Sequence, residues 1–251
     1  MVRHAITIIC LLLAAQAPAQ VPRNVMDWLS VAAQDSGGAG APTNYIAYWS
    51  FDADASDATG NYSATSTNGA PVFSGSGGVG NRGYVTHDAL DEFYIIPAIS
   101  PAGTGDDCSF MFWANRDGFT DSYHLFGDLS GSTWHVSYLD AGSAMRFIFT
   151  GNQYAATTNF AAFPSGWHHY AFVKDGTGVY NGGAFSDVYF FYDGERVDTS
   201  SYGGWNEIGA LDLLLKSYGS FHSRGSIDEL RVYDYVLSTN EVQTTYNAEK
   251  F

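Results

Sequence analysis

The first place where residue types could do chemistry is a loop that holds Asp52, Asp54, Asp57 and Asn61. Oxygen donors crowded in this way suit a hard cation such as calcium, which takes roughly six to eight carboxylate, amide or carbonyl oxygens. The spacing is not that of an EF-hand, which wants acids at alternate positions followed by glycine. Asp and Asn also bond to their own backbone to reverse a chain, so the loop reads as a turn as readily as a metal site.

His168 and His169 look like a second metal or catalytic pair. Neighbours on a strand face opposite sides, so the two rings cannot grip one ion, and structural roles are expected for both. Asp88, Asp91 and Glu92 have the wrong spacing for a glycosidase's two carboxylates. The chain has no G-x-S-x-G, no H-E-x-x-H and no phosphate-cradling G-x-x-x-x-G-K, so no catalytic residue is expected.

Binding is a different matter. Sugars stack on exposed rings that have amides and carboxylates nearby for their hydroxyls. Trp205, Tyr202, Trp134, Tyr138 and Tyr218 lie beside Gly, Ser or Asn and are the candidate rings. Gly203-Gly204-Trp205-Asn206 is the most suggestive, an aromatic presented on a flexible loop.

These residues need strands to hold them. Ile46 to Phe51, Ser109 to Ala114, Met145 to Phe149, His169 to Lys174, Val188 to Tyr192 and Ile227 to Tyr233 are short runs rich in β-branched and aromatic residues. Val188 to Tyr192 leaves no polar face in either register, so it is covered on both sides or lines a concave face. Asp193-Gly194 after that run, and Asp175-Gly176 after Lys174, are hairpin signals. Crossover helices are missing, which excludes a parallel α/β sheet. One helix is well marked, by the capping box of Ser238 and Glu241, with Val242 and Tyr246 on one face.

Composition agrees. Aromatics are 16% and glycine numbers 28, against 15% charged residues, the mix that many short strands and tight turns require. The net charge is −15, from 26 acids against 11 bases. Such a surface repels phosphate backbones, so nucleic acid is not an expected partner.

Residues 1–19 read as an export signal: Arg3 and His4, the apolar run Ala5 to Ala15, then Ala17-Pro18-Ala19 as a small-x-small cleavage site. No membrane insertion of the mature chain is expected, and its place is secreted, periplasmic or at the cell surface. Cleavage removes Cys10 and leaves Cys108 alone, so no internal disulfide can form. Residues 20–44, with Pro22, Pro42 and a Ser-Gly-Gly-Ala-Gly-Ala stretch, read as a flexible linker or arm. Residues 45–251 form the remaining domain.

Six motifs in that domain, in order, resemble one family. They are Tyr48-Trp49-Ser50-Phe51-Asp52 with its loop, Ser109 to Trp113, Trp167 to Gly176, Tyr189 to Gly194, Gly225 to Tyr233, and Leu237-Ser238 with Glu241. Together they are similar to laminin-G-like jelly rolls of the concanavalin A-like lectin and glucanase group. The stretch Leu211 to Gly219 departs from the family's usual turn.

The resemblance implies an all-β, two-sheet antiparallel sandwich with a short C-terminal helix. It also implies a structural calcium ion between the first loop and the chain end, with Asp52, Asp57, Asn61 and Asp228 as ligands. Glucanases of this fold carry acids alternating along one strand, whereas Asp228 and Glu229 are adjacent. The function expected is therefore a secreted, non-catalytic module for a polysaccharide or glycoconjugate. The alternatives are a structural, assembly or adhesion component that contacts another surface protein, or a polysaccharide-active enzyme.

Overall fold

Short apolar runs broken by Gly, Asn and Asp can satisfy their backbone groups only by pairing sideways. That is the arrangement in the computed structural model, which describes residues 42–63, 65–68, 72–87, 93–95, 107–115, 123–127, 134–139, 144–149, 166–175, 179–180, 183–203 and 225–250. In chain order the strands are β1 (Ala47–Trp49), β2 (Thr65–Asn68), β3 (Val72–Ser74), β4 (Tyr84–His87), β5 (Phe93–Ile95), β6 (Cys108–Asn115), β7 (Tyr123–Gly127), β8 (Trp134–Leu139), β9 (Ala144–Phe149), β10 (Trp167–Asp175), β11 (Val179–Tyr180), β12 (Gly183–Tyr192), β13 (Glu195–Gly203) and β14 (Gly225–Tyr233). Helix α1 (Thr239–Glu249) follows.

Among the described residues every strand pairing is antiparallel. Nine strands form one sheet along the path β11-β12-β10-β6-β14-β4-β3, with β1 against β14 and β13 against β12. β2 with β5, and β7-β8-β9, form two smaller sheets. The fold is thus all-β and antiparallel with one C-terminal helix, as expected. Among the described residues the two-sheet layering of a sandwich is only partly visible.

The large sheet is covered twice, which explains the apolar residues on both alternations of β6, β10 and β12. On one face Phe112 stacks on Tyr170 and Phe172 at 5.6 and 6.2 Å, and Phe190 stacks on Phe172 at 5.0 Å between centroids. On the other, Met111, Ala171, Val173, Tyr189, Phe191 and Tyr233 form a cluster closed by Leu237 and Val242. The run ending at Tyr192 needed both covers. Cys108 is fully buried.

The helix that supplies the second cover starts where its capping box predicts. Ser238 Oγ accepts from the Glu241 amide at 3.2 Å, and Glu241 Oε2 accepts from the Ser238 amide at 2.7 Å. The β12–β13 hairpin turns at Asp193 and Gly194, both at positive φ, 49° and 80°. A Cβ on Gly194 would sit 2.7 Å from the Tyr246 ring, so only glycine lets this turn pass beneath α1.

The segment 1–19 and residues 20–41 of the arm lie outside the described residues, as do Trp205 and Tyr218. The last residues of the arm touch the sheet: Tyr233 donates to the Pro42 carbonyl at 3.4 Å, and Tyr235 to Asn44 Oδ1 at 2.9 Å. Among the described residues no helix is long and apolar enough to cross a membrane.

Candidate functional site

The acid-rich loop after β1 divides its acids between two tasks. Asp57 Oδ1 accepts from the backbone amides of Tyr48 and Thr59 at 2.8 and 3.1 Å. Its Oδ2 accepts from the amides of Asn61 and Tyr62 at 3.1 and 2.9 Å, and from the Thr59 hydroxyl. Burial opposes ionisation of this carboxyl, but the Thr59 hydroxyl and the amides of Tyr48, Thr59 and Tyr62 outweigh it and hold its pKa below the ordinary value. A carboxylate offers about four lone-pair sites. Five donors converge on them, so Asp57 organises the turn. Asn61 is exposed, and its amide serves the same turn.

Asp52 faces elsewhere. Its Oδ1 accepts from the Gly83 amide at 2.9 Å, which fastens the first loop to the tight turn Gly78–Gly83. The approach is close: a Cβ on Gly83 would lie 2.2 Å from the Asp52 carbonyl oxygen. On the other side of that turn stands Asp228 of β14. Its Oδ2 accepts from the Val79 amide at 2.9 Å, and a Cβ on Gly78 would lie 2.7 Å from the same oxygen. Two glycines therefore let three segments meet, from β1, the turn before β4, and β14.

Asp228 is fully buried and its Oδ1 has no hydrogen-bond partner. Burial, with the neighbouring Glu229 and Asp52 charges, pushes its pKa up to about 8 against the pull of the Val79 amide and Arg82. An unpartnered buried carboxylate oxygen facing another carboxylate's electrostatic field wants a proton or a cation. Asp52 and Asp228, the two acids bonded to this turn, are too few to hold an ion without further oxygens. Among the described residues no group of three or more acids, histidines or cysteines could do so by side chains alone.

Glu229, next in sequence, does something different. β14 bulges between Asp228 and Arg231 where it pairs with β6, and Glu229 takes a left-handed φ of 55°. Its Oε1 is 2.7 Å from Arg82 Nη1, and its Oε2 is 2.5 Å from Arg231 Nη2 and accepts from the Tyr48 hydroxyl at 2.6 Å. Arg231 reaches on to Glu249 Oε1 at 2.6 Å and lies over the Tyr48 ring at 4.4 Å. Burial opposes the charge on Arg231, but Glu249 and Glu229 outweigh it and raise its pKa. Both oxygens of Glu229 are thus ion-paired.

The histidine pair behaves as alternation requires. His168 is half-buried, with Nδ1 2.7 Å from the Tyr192 hydroxyl and 2.9 Å from Asp193 Oδ2. His169 is fully buried, edge-on to Trp113 at 5.3 Å and 5.9 Å from the Tyr246 ring. Of the candidate sugar-stacking rings, Tyr202 lies near the end of β13 opposite Ser186. Trp134 and Tyr138 sit in β8 opposite Phe149 and Met145. The structure does not bring Tyr202 and the β8 rings into one sheet.

Gly78, Gly83, Arg82, Arg231 and Glu249 were not singled out by their types. A signal existed for the first two, since Gly77-Gly78-Val79-Gly80 ahead of a strand marks a close backbone approach. Nothing local marks Arg231 and Glu249 as partners.

The sequence profile of the concanavalin A-like lectin/glucanases superfamily matches residues 94–243, more than half of the chain. No curated protein sequence matches significantly. Among solved structures, domain 4 of AbnA, an extracellular arabinanase of Geobacillus stearothermophilus solved in complex with arabinotriose, matches with TM-score 0.61 and 20% identity. That match covers 80% of this chain and 97% of that domain. The binding domain of botulinum neurotoxin DC, solved with rat synaptotagmin II and with SialylT, matches with TM-score 0.63 and 11% identity in both complexes. It covers 83% of this chain, which spans about half (52%) of the neurotoxin domain's length. At such identities the structural likeness speaks to fold, and the profile speaks to descent: the chain belongs to the concanavalin A-like lectin/glucanase superfamily.

Proposed function

We propose that this chain is an exported, non-catalytic module that binds glycans or other cell-surface material on a sandwich stabilised by calcium. The observation that carries the reading is the match to the arabinanase's domain 4, which extends over 97% of that domain. A whole unit that has been solved holding a trisaccharide has its counterpart in this chain. Trp205, Tyr202, Trp134, Tyr138 and Tyr218 are the rings proposed for stacking.

Absence of catalysis is supported by the state of the acids. A glycosidase needs one carboxyl free to donate a proton and a second free to attack or to activate water. Asp228 is sealed against the Val79 amide and Glu229 is held between two arginines. Export is supported by the basic start, apolar run and small-x-small site of residues 1–19.

Calcium is supported by Asp228 Oδ1, a buried acceptor without a donor. Asp228, Asp52 and carbonyls of the Gly78–Gly83 turn would hold the ion, while Asp57 and Asn61 shape the loop behind it. When bound, the ion supplies the positive charge that keeps Asp228 ionised in its buried position and ties the first loop to the last strand. A protein ligand is the second reading, because the neurotoxin domain of the same fold has been solved with rat synaptotagmin II.

The test is one tube per polysaccharide. The secreted chain is incubated in calcium with a panel of insoluble polysaccharides, and bound protein and new reducing ends are measured together. Binding without new ends is expected. New reducing ends would overturn the non-catalytic reading, and an empty panel would shift the account to a protein partner.

A further inference from the structure

At the start of β10 the aromatic face of the large sheet comes to the surface. Phe112, Tyr170 and Tyr192 stand side by side across β6, β10 and β12, and Tyr192 meets Tyr170 edge-on at 5.5 Å. Tyr170 is buried and Tyr192 half-buried. Next to Tyr192 the side chains of His168 and Asp193 are 18% and 28% exposed. The His168 ring lies on the Tyr192 ring, with centroids 5.0 Å apart and planes at 21°.

The hydrogen bonds of this group fix the imidazole proton. Asp193 Oδ2 lies 2.9 Å and the Tyr192 hydroxyl 2.7 Å from the same ring nitrogen, Nδ1. A carboxylate only accepts, so the proton of the neutral ring is assigned to Nδ1 and the lone pair to Nε2. The carboxylate is itself held in place. Asp193 Oδ1 accepts from the His169 amide at 3.0 Å, and the Asp193 amide donates to the His169 carbonyl at 2.9 Å. Both of the ring's hydrogen bonds fall on Nδ1, which leaves Nε2 to the solvent. An acceptor fixed by a stacked ring, a carboxylate and a tight turn takes a donor without first losing rotamer freedom.

The surroundings select the donor. A metal ion would need several more ligands, and among the described residues no group of three or more histidines, cysteines or acids could hold one. An anion would meet the Asp193 carboxylate, with exposed Glu195 two residues on, on a chain of net charge −15. A sugar hydroxyl meets no such opposition, and an aromatic surface with a few placed polar groups is the setting in which one is recognised. We propose that His168 Nε2, with the Asp193 carboxylate behind it, is a subsite for a hydroxyl of a neutral polysaccharide. This inference rests on the reading of the chain as a glycan-binding module and names the chemical class of the glycan. It gives His168 a task beyond the structural one expected of both histidines.

Calorimetric titration with arabinotriose, cellotriose and trigalacturonate tests it, with the imidazole nitrogen resonances of the wild type followed by NMR. A neutral probe should bind and trigalacturonate should not. His168→Phe, which keeps a ring on Tyr192 and removes Nε2, should weaken the neutral binding by roughly tenfold or more with the melting temperature unchanged. In the wild type the Nε2 resonance of His168 should move as the neutral probe is added, while Nδ1 holds its position. That spectrum carries the test if His168→Phe does not fold. Neutral binding that survives His168→Phe, or that leaves the Nε2 resonance unmoved, overturns the subsite and leaves the module reading standing. Trigalacturonate bound alone, or as tightly as a neutral probe, overturns it as well. Binding of none of the three overturns the subsite, and the polysaccharide panel decides separately whether the module reading falls with it.

Discussion

The indole nitrogen of Trp113, in the middle of β6, donates to Glu249 Oε2 at 2.7 Å, in the last turn of α1. Glu249 Oε1 meets Arg231, and Arg231 meets Glu229, so the helix is fastened to the sheet by a buried chain of charges. The side chain of Glu229 is fully buried, and those of Arg231 and Glu249 are 10% and 9% exposed.

Breaking that chain at its centre should be costly. Arg231→Met leaves Glu229 and Glu249 buried with a partner removed, and a loss of about 3–5 kcal/mol in urea unfolding is expected. A loss below about 1 kcal/mol would mean that these pairs behave as solvated surface pairs, contrary to their burial.

His169 should make the domain acid-sensitive. Neither ring nitrogen has a partner, and burial, aided by the Arg231 charge and opposed by Asp193, lowers its pKa to about 3 from 6.5. The folded value lies below the unfolded one. The neutral ring's contribution is therefore complete above the unfolded pKa and is lost as pH falls towards the folded pKa. The slope is about 1.4 kcal/mol per pH unit. His169→Phe, which keeps the contact with Trp113, should flatten the fall in stability between pH 6.5 and 5. Parallel wild-type and variant curves would contradict this.

Glycine at position 83 is required by the meeting of the turn with Asp52. Gly83→Ala places a methyl group against backbone, 2.2 Å from the Asp52 carbonyl oxygen. The turn must shift, at about 1–3 kcal/mol by chemical denaturation. The calcium response should weaken with it. Gly75→Ala, where nothing lies within 4 Å, should leave both unchanged.

Local features were legible in the sequence and distant ones were not. The capping box at Ser238, the Asp193-Gly194 turn and the strands around Trp113 and Phe172 depend on residues a few positions apart, and each could be read directly. Asp57 shows what composition leaves open. A loop that binds a cation and one whose carboxylate collects backbone amides use the same Asp, Asn and Gly, and the amides of Tyr48, Thr59 and Tyr62 gathered on Asp57 are visible only in the fold. The partnership of Arg231 with Glu249, or of Asp228 with Val79, joins residues brought together only by sheet topology, and no spacing announces it.

The calcium ion proposed at Asp228 and Asp52 is the central claim, and a thermal melt tests it directly. Wild type, Asp228→Asn and Asp57→Asn are melted with calcium and with chelator at pH 6 and pH 8. Bound ligand must raise the stability of the native state. Without the ion, the raised pKa of Asp228, about 8, means that stability falls as pH rises through the window from the ordinary carboxylate value to that one, because the native state holds the extra proton. Calcium displaces that proton, so its stabilisation should be larger at pH 8 than at pH 6. It should vanish in Asp228→Asn. Asp57→Asn should melt lower, yet keep the calcium shift. A melting temperature indifferent to calcium in wild type, or a shift that survives Asp228→Asn, would contradict the site.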